Sequence, residues 1–203
     1  MIDYASSAMI ALGANLPRDD TPPHTTLETA LDMLPGTGLT VEAVSSFFRT
    51  AAVPLASGPD FVNACALISS RHEAISAADI LAALHDVEAA LGRERRQRWA
   101  PRVCDLDLIA MGETILPDRE TVARWMALAP GDAVEQTPGE LILPHPRMHE
   151  RAFVLAPLAE IAPDWRHPLL GVTVAQMLLD LGTEDVSALR RLPGRPCKSP
   201  QSG

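Results

Sequence analysis

Val62-Asn63-Ala64-Cys65-Ala66-Leu67-Ile68, Ser76-Ala77-Ala78-Asp79-Ile80 and Val103-Cys104-Asp105-Leu106-Asp107-Leu108-Ile109-Ala110-Met111 follow one another in the middle of this chain. In the first segment Val62, Ala64, Ala66 and Ile68 alternate, which predicts a strand. In the second, Ser76 with Asp79 three residues on is the signature of a capped helix start. The stripe Ile80, Leu84, Val87 and Leu91 then predicts a helix, and Gly92 stands where a left-handed residue ends one. Residues 103–111 are an apolar run bounded by a proline-containing loop and predict another strand. Strand, helix, strand is a crossover unit, because a connection of that length carries the chain back across a sheet.

Working outward, Ala8-Met9-Ile10-Ala11-Leu12 predicts a buried strand ending at Gly13. Leu27, Ala30, Leu31 and Leu34 predict a helix over 25–34, stopped by Pro35-Gly36. Leu39, Val41 and Ala43 alternate and run on through Phe47-Phe48 as a second strand, which a loop over 51–60 joins to the third as an antiparallel pair. The order is β-α-β-β-α-β. It predicts an α+β fold, a ferredoxin-like βαββαβ sandwich with strand 103–111 central in its sheet.

Residues 112–140, with Pro117, Pro130, Gly131 and Pro138-Gly139, predict a long surface insertion holding a short helix near Val122–Leu128. Extra C-terminal helices follow: short turns over 148–161 broken by Pro157, then a helix over Val174–Leu181 capped by Thr173 and closed by Gly182. The reading is one domain over 1–185 with 112–140 inserted. Residues 186–203, rich in proline and basic side chains, are expected to be a disordered tail.

With 26 acidic and 17 basic side chains the formal net charge is −9. That balance argues against a nucleic-acid binder or a membrane-surface protein. No apolar run is long enough for a membrane span, and no basic segment leads into an apolar leader. The three cysteines, Cys65, Cys104 and Cys197, lack metal or redox spacing. A cytoplasmic location is the expectation.

In a strand Asp105 and Asp107 point to one face, about 7 Å apart at Cα. That spacing suits one or two hard cations shared with phosphate oxygens, a reading preferred to the alternative, the solvated face of an edge strand. Arg93, Arg95, Arg96, Arg98 and Arg102 precede them with a single acid, Glu94. Arginines beside paired carboxylates are the equipment of phosphoryl-type transfer, since a guanidinium stays charged and grips phosphate with two hydrogen bonds. Phe61 and Asn63 share a strand face, and the amide suits either the donors and acceptors of a heterocycle or a satisfied core position. His145 lies between two prolines as a phosphate or metal contact or a surface histidine. Trp99 fits packing or stacking on a purine. Gly13-Ala14-Asn15 reads as a tight turn.

Several motifs in one order resemble the 6-hydroxymethyl-7,8-dihydropterin pyrophosphokinase family. They are Ala11-Leu12-Gly13-Ala14-Asn15-Leu16, Ser45-Ser46-Phe47-Phe48-Arg49-Thr50 and Pro59-Asp60-Phe61-Val62-Asn63-Ala64. Gly92-Arg93 follows, then Arg98-Trp99-Ala100-Pro101-Arg102 leading into Asp105-Leu106-Asp107, then Leu143-Pro144-His145-Pro146-Arg147-Met148 with Arg151 and Phe153. The resemblance implies transfer of the β,γ-pyrophosphate of ATP to the hydroxymethyl oxygen of the pterin, releasing AMP, in folate biosynthesis. It implies two Mg²⁺ held by Asp105 and Asp107, with Arg93 and Arg102 stabilising charge on the transferring group. It implies an ATP side of Glu88, Arg95, Arg98, Trp99, Ile142, His145 and Arg151. It implies a pterin pocket of Thr50, Val53, Phe61, Asn63 and Phe153. The expected partners are those two small molecules, and the expected state is a monomer.

The chain departs from the family pattern at Ala51-Ala52-Val53-Pro54, where a Pro-Pro pair is usual, at Ala100 for glycine and at Phe61 for tyrosine. The 112–140 excursion is longer than usual. Two other readings remain beside the resemblance: a different Mg²⁺ enzyme using Asp-x-Asp, which leaves Phe61 and Asn63 idle, and a non-catalytic nucleotide- or protein-binding module.

Overall fold

A computed structural model describes residues 4–52, 58–70, 75–92, 103–129, 138–182 and 186–193. Its strands are β1 (Ala8–Ala14), β2 (Leu39–Val44), β3 (Phe48–Thr50), β4 (Phe61–Ser70), β5 (Asp105–Met111) and β6 (Arg190–Arg191). Its helices are α1 (Pro23–Met33), α2 (Ala77–Ala90), α3 (Arg119–Met126), α4 (Ala152–Ile161) and α5 (Val174–Asp180).

The sheet runs β5-β1-β4-β3-β6, with β2 also paired to β4, and the pairings are antiparallel. β1 and β4 are therefore central. β5 lies at an edge, which corrects the expectation that the Asp-bearing strand is central. Periodicity reports which faces of a strand are buried and is silent on its place in the order.

The apolar alternation of β4 maps onto two cores. Val62, Ala64, Ala66 and Ile68 pack with Leu27, Leu31, Ile80, Leu84 and Val87 of α1 and α2. Cys65 and Leu67 face the other way, against Val154, Leu155, Leu158 and Ile161 of α4 and Val174 and Met177 of α5. A strand covered on both faces needs apolar residues at successive positions, as residues 64–68 have. The Ser76–Asp79 box forms as expected: the Asp79 amide donates to Ser76 Oγ and the Ser76 amide to Asp79 Oδ2, each at 3.1 Å. Gly92 ends α2 at φ 85°.

The expected second strand divides into β2 and β3, which pair with opposite halves of β4. Ser45 makes the break, because its hydroxyl accepts the Cys65 amide at 2.9 Å in place of a backbone carbonyl and donates to Ser46 O at 2.8 Å. The expected break at Pro157 is absent, and α4 runs through it. The ring deletes one backbone hydrogen bond, and the burial of Val154, Leu155, Leu158 and Ile161 on the sheet outweighs that loss.

The 112–140 segment is pinned at its base by Leu116 and Leu143, whose amides and carbonyls exchange hydrogen bonds of 2.8 and 3.0 Å. Asp118 caps α3 by accepting the Thr121 amide at 2.9 Å, and Val122 is wholly buried. The expected tail also needs correction. Within 186–193, β6 pairs with β3 and the Leu192 amide donates to Phe47 O at 2.8 Å. Composition favours disorder there, yet an open strand edge offers hydrogen bonds to any segment in reach. Residues 194–203 lie outside the described residues.

After α4 the chain folds back on itself. The Trp165 indole is 3% exposed, and its Nε1 donates to Gly112 O at 3.0 Å just beyond β5. It meets the fully buried His167 edge-on, ring centres 5.8 Å apart. His167 Nδ1 accepts the Leu169 and Leu170 amides, and burial with His149 nearby pushes its pKa down to about 4. In the unfolded chain a histidine takes its proton near pH ~6.5. As pH falls from there toward 4 the unfolded state therefore binds a proton that the folded state refuses, and stability is lost over that window. His167→Asn, which keeps an acceptor near the Nδ1 position, is expected to flatten the stability-against-pH curve between ~6.5 and ~4. Urea melts across that range would contradict this if both proteins had the same slope.

Candidate active site

The chemistry-bearing residues converge on the face of the sheet that α4 covers, at its N-terminal end. Register makes the floor: Gly13 of β1 stands opposite Asp105 of β5 on one side and Asn63 of β4 on the other, and Asn63 stands opposite Phe48 of β3. One pair along, Ala11 lies opposite Asp107 and Cys65. Asp105 and Asp107 thus share a face with Asn63 and Phe61 across two small residues. A Cβ added at Gly13 would sit 3.5 Å from Asn63 Oδ1, so glycine there keeps the floor low between carboxylate and amide. Gly13 is strand, where the sequence reading had a turn. The signal was the alternation of small residues, Ala11 and Gly13, on one face.

Among the described residues, Glu88 and the His145 segment hold β5 at its edge. Glu88 of α2 is 1% exposed, and its Oε1 accepts the Leu106 amide at 2.7 Å, between the two aspartates. The His145 amide donates to Ile109 O at 2.8 Å. Glu88, expected on the ATP side, is thus buried against the strand that bears the carboxylates. Glu88→Ala strands a buried amide and is expected to cost about 1–3 kcal/mol, whereas Glu88→Gln keeps an acceptor. Equal denaturation midpoints for the two variants would contradict this role.

His145 Nδ1 accepts the Arg147 amide at 3.1 Å, which leaves the ring proton on Nε2 as a donor. Burial and the positive charge of Arg151 push its pKa down to about 3, with Asp105 opposing. The imidazole is neutral at physiological pH. Arg151 stands at the N-cap of α4. Burial lowers its pKa, and Asp107 is the strongest opposing influence. It stays charged, in the field of both aspartates. Its guanidinium carbon lies 5.7 Å from the centre of the Phe153 ring, and Phe153 is 38% exposed.

On the β3 side, Asn63 is 6% exposed and its Nδ2 donates to Thr50 Oγ1 at 2.9 Å. Thr50 is paired with Phe61. This leaves the amide oxygen of Asn63 directed over Gly13. Ile142, at 6% exposure, precedes His145 on the same segment. The structure thus brings together Asp105, Asp107, His145, Arg151 and Phe153 with Asn63, Thr50 and Phe61. Arg93, Arg95, Arg98, Trp99, Arg102 and Val53 lie outside the described residues.

Among the described residues no three His, Cys, Asp or Glu side chains cluster tightly enough to hold a metal by themselves. Two carboxylates with no soft ligand fit a hard cation that completes its shell with water and substrate oxygens. Among those residues no helix is long and apolar enough to cross a membrane.

An antiparallel sheet backed by helices, with two carboxylates in the field of the Arg151 guanidinium on the same face as the Asn63 amide, defines a mixed α/β domain with a charged, polar patch on one sheet face. The model of the 7,8-dihydro-6-hydroxymethylpterin-pyrophosphokinase (HPPK) family matches residues 9–163, and the chain belongs to that family. A 2-amino-4-hydroxy-6-hydroxymethyldihydropteridine pyrophosphokinase of Synechocystis sp. is 36% identical over 172 residues, 84% of this chain and 74% of that one. The pyrophosphokinase of the same name from Pseudomonas aeruginosa is 36% identical over 162 residues, covering 78% and 82%. Among solved structures, wild-type Plasmodium falciparum HPPK-DHPS superposes with a TM-score of 0.64 at 12% identity, over 91% of this chain and 48% of that one. That likeness is one of fold, and this chain spans about half the length of that protein.

Proposed function

We propose that this chain transfers the β,γ-pyrophosphate of ATP to the hydroxymethyl oxygen of 6-hydroxymethyl-7,8-dihydropterin, releasing AMP, in folate biosynthesis. The observation that carries the reading is the shared sheet face: Asp105 lies across Gly13 from Asn63 and Asp107 across Ala11 from Cys65, with the Arg151 guanidinium in the field of both carboxylates and 5.7 Å from the Phe153 ring centre. A reaction joining a polyphosphate to a pterin needs both halves within reach of each other.

The reaction forms one P–O bond and breaks another, so catalysis consists mostly of positioning and charge stabilisation. Asp105 and Asp107 would hold two Mg²⁺, which when bound neutralise charge on the phosphate oxygens. Arg151 faces the same oxygens, and the neutral His145 donates from Nε2. Arg93 and Arg102 take the charge that develops on the transferring group. Arg95, Arg98, Trp99 and Ile142 complete the ATP side, and Glu88 serves it by fixing β5. Phe153 stacks on the pterin, Asn63 reads its ring edge with Thr50, and Phe61 and Val53 close the pocket. The strand order and two split crossovers support a ferredoxin-like βαββαβ core from β1 to β5, within a single domain that carries the 112–140 insertion and, through β6, takes in residues past 185. We read the working form as a cytoplasmic monomer.

The test is AMP release from ATP and Mg²⁺ with and without 6-hydroxymethyl-7,8-dihydropterin. AMP formed only with the pterin establishes reaction and substrate together. Absence of AMP while the pterin still binds would reduce the chain to a binding module, and absence of both would overturn the reading.

A further inference from the structure

β3 is three residues long, yet it carries Thr50, which fixes the Asn63 amide. On one side it pairs with β4; on the other, Phe48 and Arg49 pair with Arg191 and Arg190 of β6. The family match ends at residue 163, so β6 is contributed by a part of the chain beyond it. Side chains anchor it. Arg191 Nε donates to Ser46 Oγ at 2.7 Å, and its terminal nitrogen lies 3.2 Å from Glu160 Oε1. The other oxygen of Glu160 accepts the Ser46 amide at 2.6 Å. Ser46 is in the corner leading into β3 and is 3% exposed. Glu160 is in the last turn of α4, the helix that presents Phe153 about 10 Å away at its other end by helical rise.

We infer that Arg191 is a positioning residue for the pterin pocket: with Glu160 and Ser46 it clamps β3 to α4 and so sets the gap between the Thr50–Asn63 wall and Phe153. The inference rests on the reading of that slot as the pterin pocket. An exposed ion pair adds little stability by itself. Here it closes three elements at one corner, and its effect falls on geometry. The carboxylate half of the site, on β5 at the opposite edge, is not touched by the clamp.

Steady-state kinetics of Arg191→Ala with each substrate varied in turn test this. The pterin KM is expected to rise about fivefold to tenfold, less than the ~10²-fold that a full 1 Å misplacement can cost, with kcat and the ATP KM within about twofold. Arg191→Lys, which reaches Glu160 without the fork to Ser46, recovers part of the loss. An unchanged pterin KM, or equal rises in both KM values, overturns the inference. If Arg191→Ala does not fold, Arg191→Lys and Glu160→Gln are held to the same split between substrates. If the wild-type protein makes no pterin-dependent AMP, the reading of the slot fails instead. Amide exchange over residues 47–50 then decides the clamp: faster exchange in Arg191→Ala supports it, and unchanged exchange overturns it.

Discussion

Asp107→Ala is expected to lower pterin-dependent AMP release by about a thousandfold or more, while the protein stays folded. Loss of one preorganised electrostatic contact to a reacting group costs about 10²–10³ in turnover, and a carboxylate that holds a cation on the transferring phosphates carries more charge than a hydrogen-bond donor. Stability should change little, because Asp107 is only half-buried and lies on the site face of the sheet. Asp107→Asn keeps the shape and removes the charge, so it should share the kinetic defect. Turnover within tenfold of wild type in either variant would remove the cation-holding role from this residue. Lost activity accompanied by a lowered melting temperature would assign it to structure.

The largest stability effect is expected at Trp165. Trp165→Ala removes a nearly buried indole from the core under α4 and α5 and leaves the Gly112 carbonyl without its donor. Truncation of a buried aromatic costs about 3–5 kcal/mol. In a chain of this size that corresponds to a fall of roughly 10 °C in melting temperature. Trp165→Phe keeps most of the ring and loses the hydrogen bond, and should fall by about 1–2 kcal/mol. Thermal melts giving the two variants equal stability would show that the hydrogen bond, and not the packing, dominates.

Local signals in the sequence locate the elements well, because each rests on nearby residues. The Ser76–Asp79 box, the stripe from Ile80 to Leu91 and Gly92 are all short-range and reappear in α2. The Asp105–Asp107 pair is legible for the same reason, since two residues apart in a strand means one face. Features set by distant partners are not legible. Ser45 interrupts a strand through a bond to Cys65, twenty residues away. Pro157 is tolerated only because α4 lies on a sheet. β6 forms because β3 has an edge to offer. Glu88 reads as a polar residue near a helix end, and only the fold reveals that it meets the amide of Leu106. Within the candidate site, the aspartates share a strand face as their spacing requires, whereas Gly13 does not stand out, because a glycine between strand neighbours resembles a turn until its partners are known.

The edge position of β5 has a bearing on solubility. Asp-Leu-Asp-Leu-Ile-Ala-Met is an apolar strand with one side open to pairing, the kind of segment that recruits strands from other molecules. Here the Leu106 amide is taken by a carboxylate and the Ile109 carbonyl by the amide of His145, so an incoming strand meets occupied hydrogen-bonding groups and two charged side chains. The same contacts that hold β5 in place therefore also occupy groups through which a strand of a second molecule would pair at this edge. Variants that loosen Glu88 or the His145 segment would be expected to show aggregation on concentration as well as weakened activity.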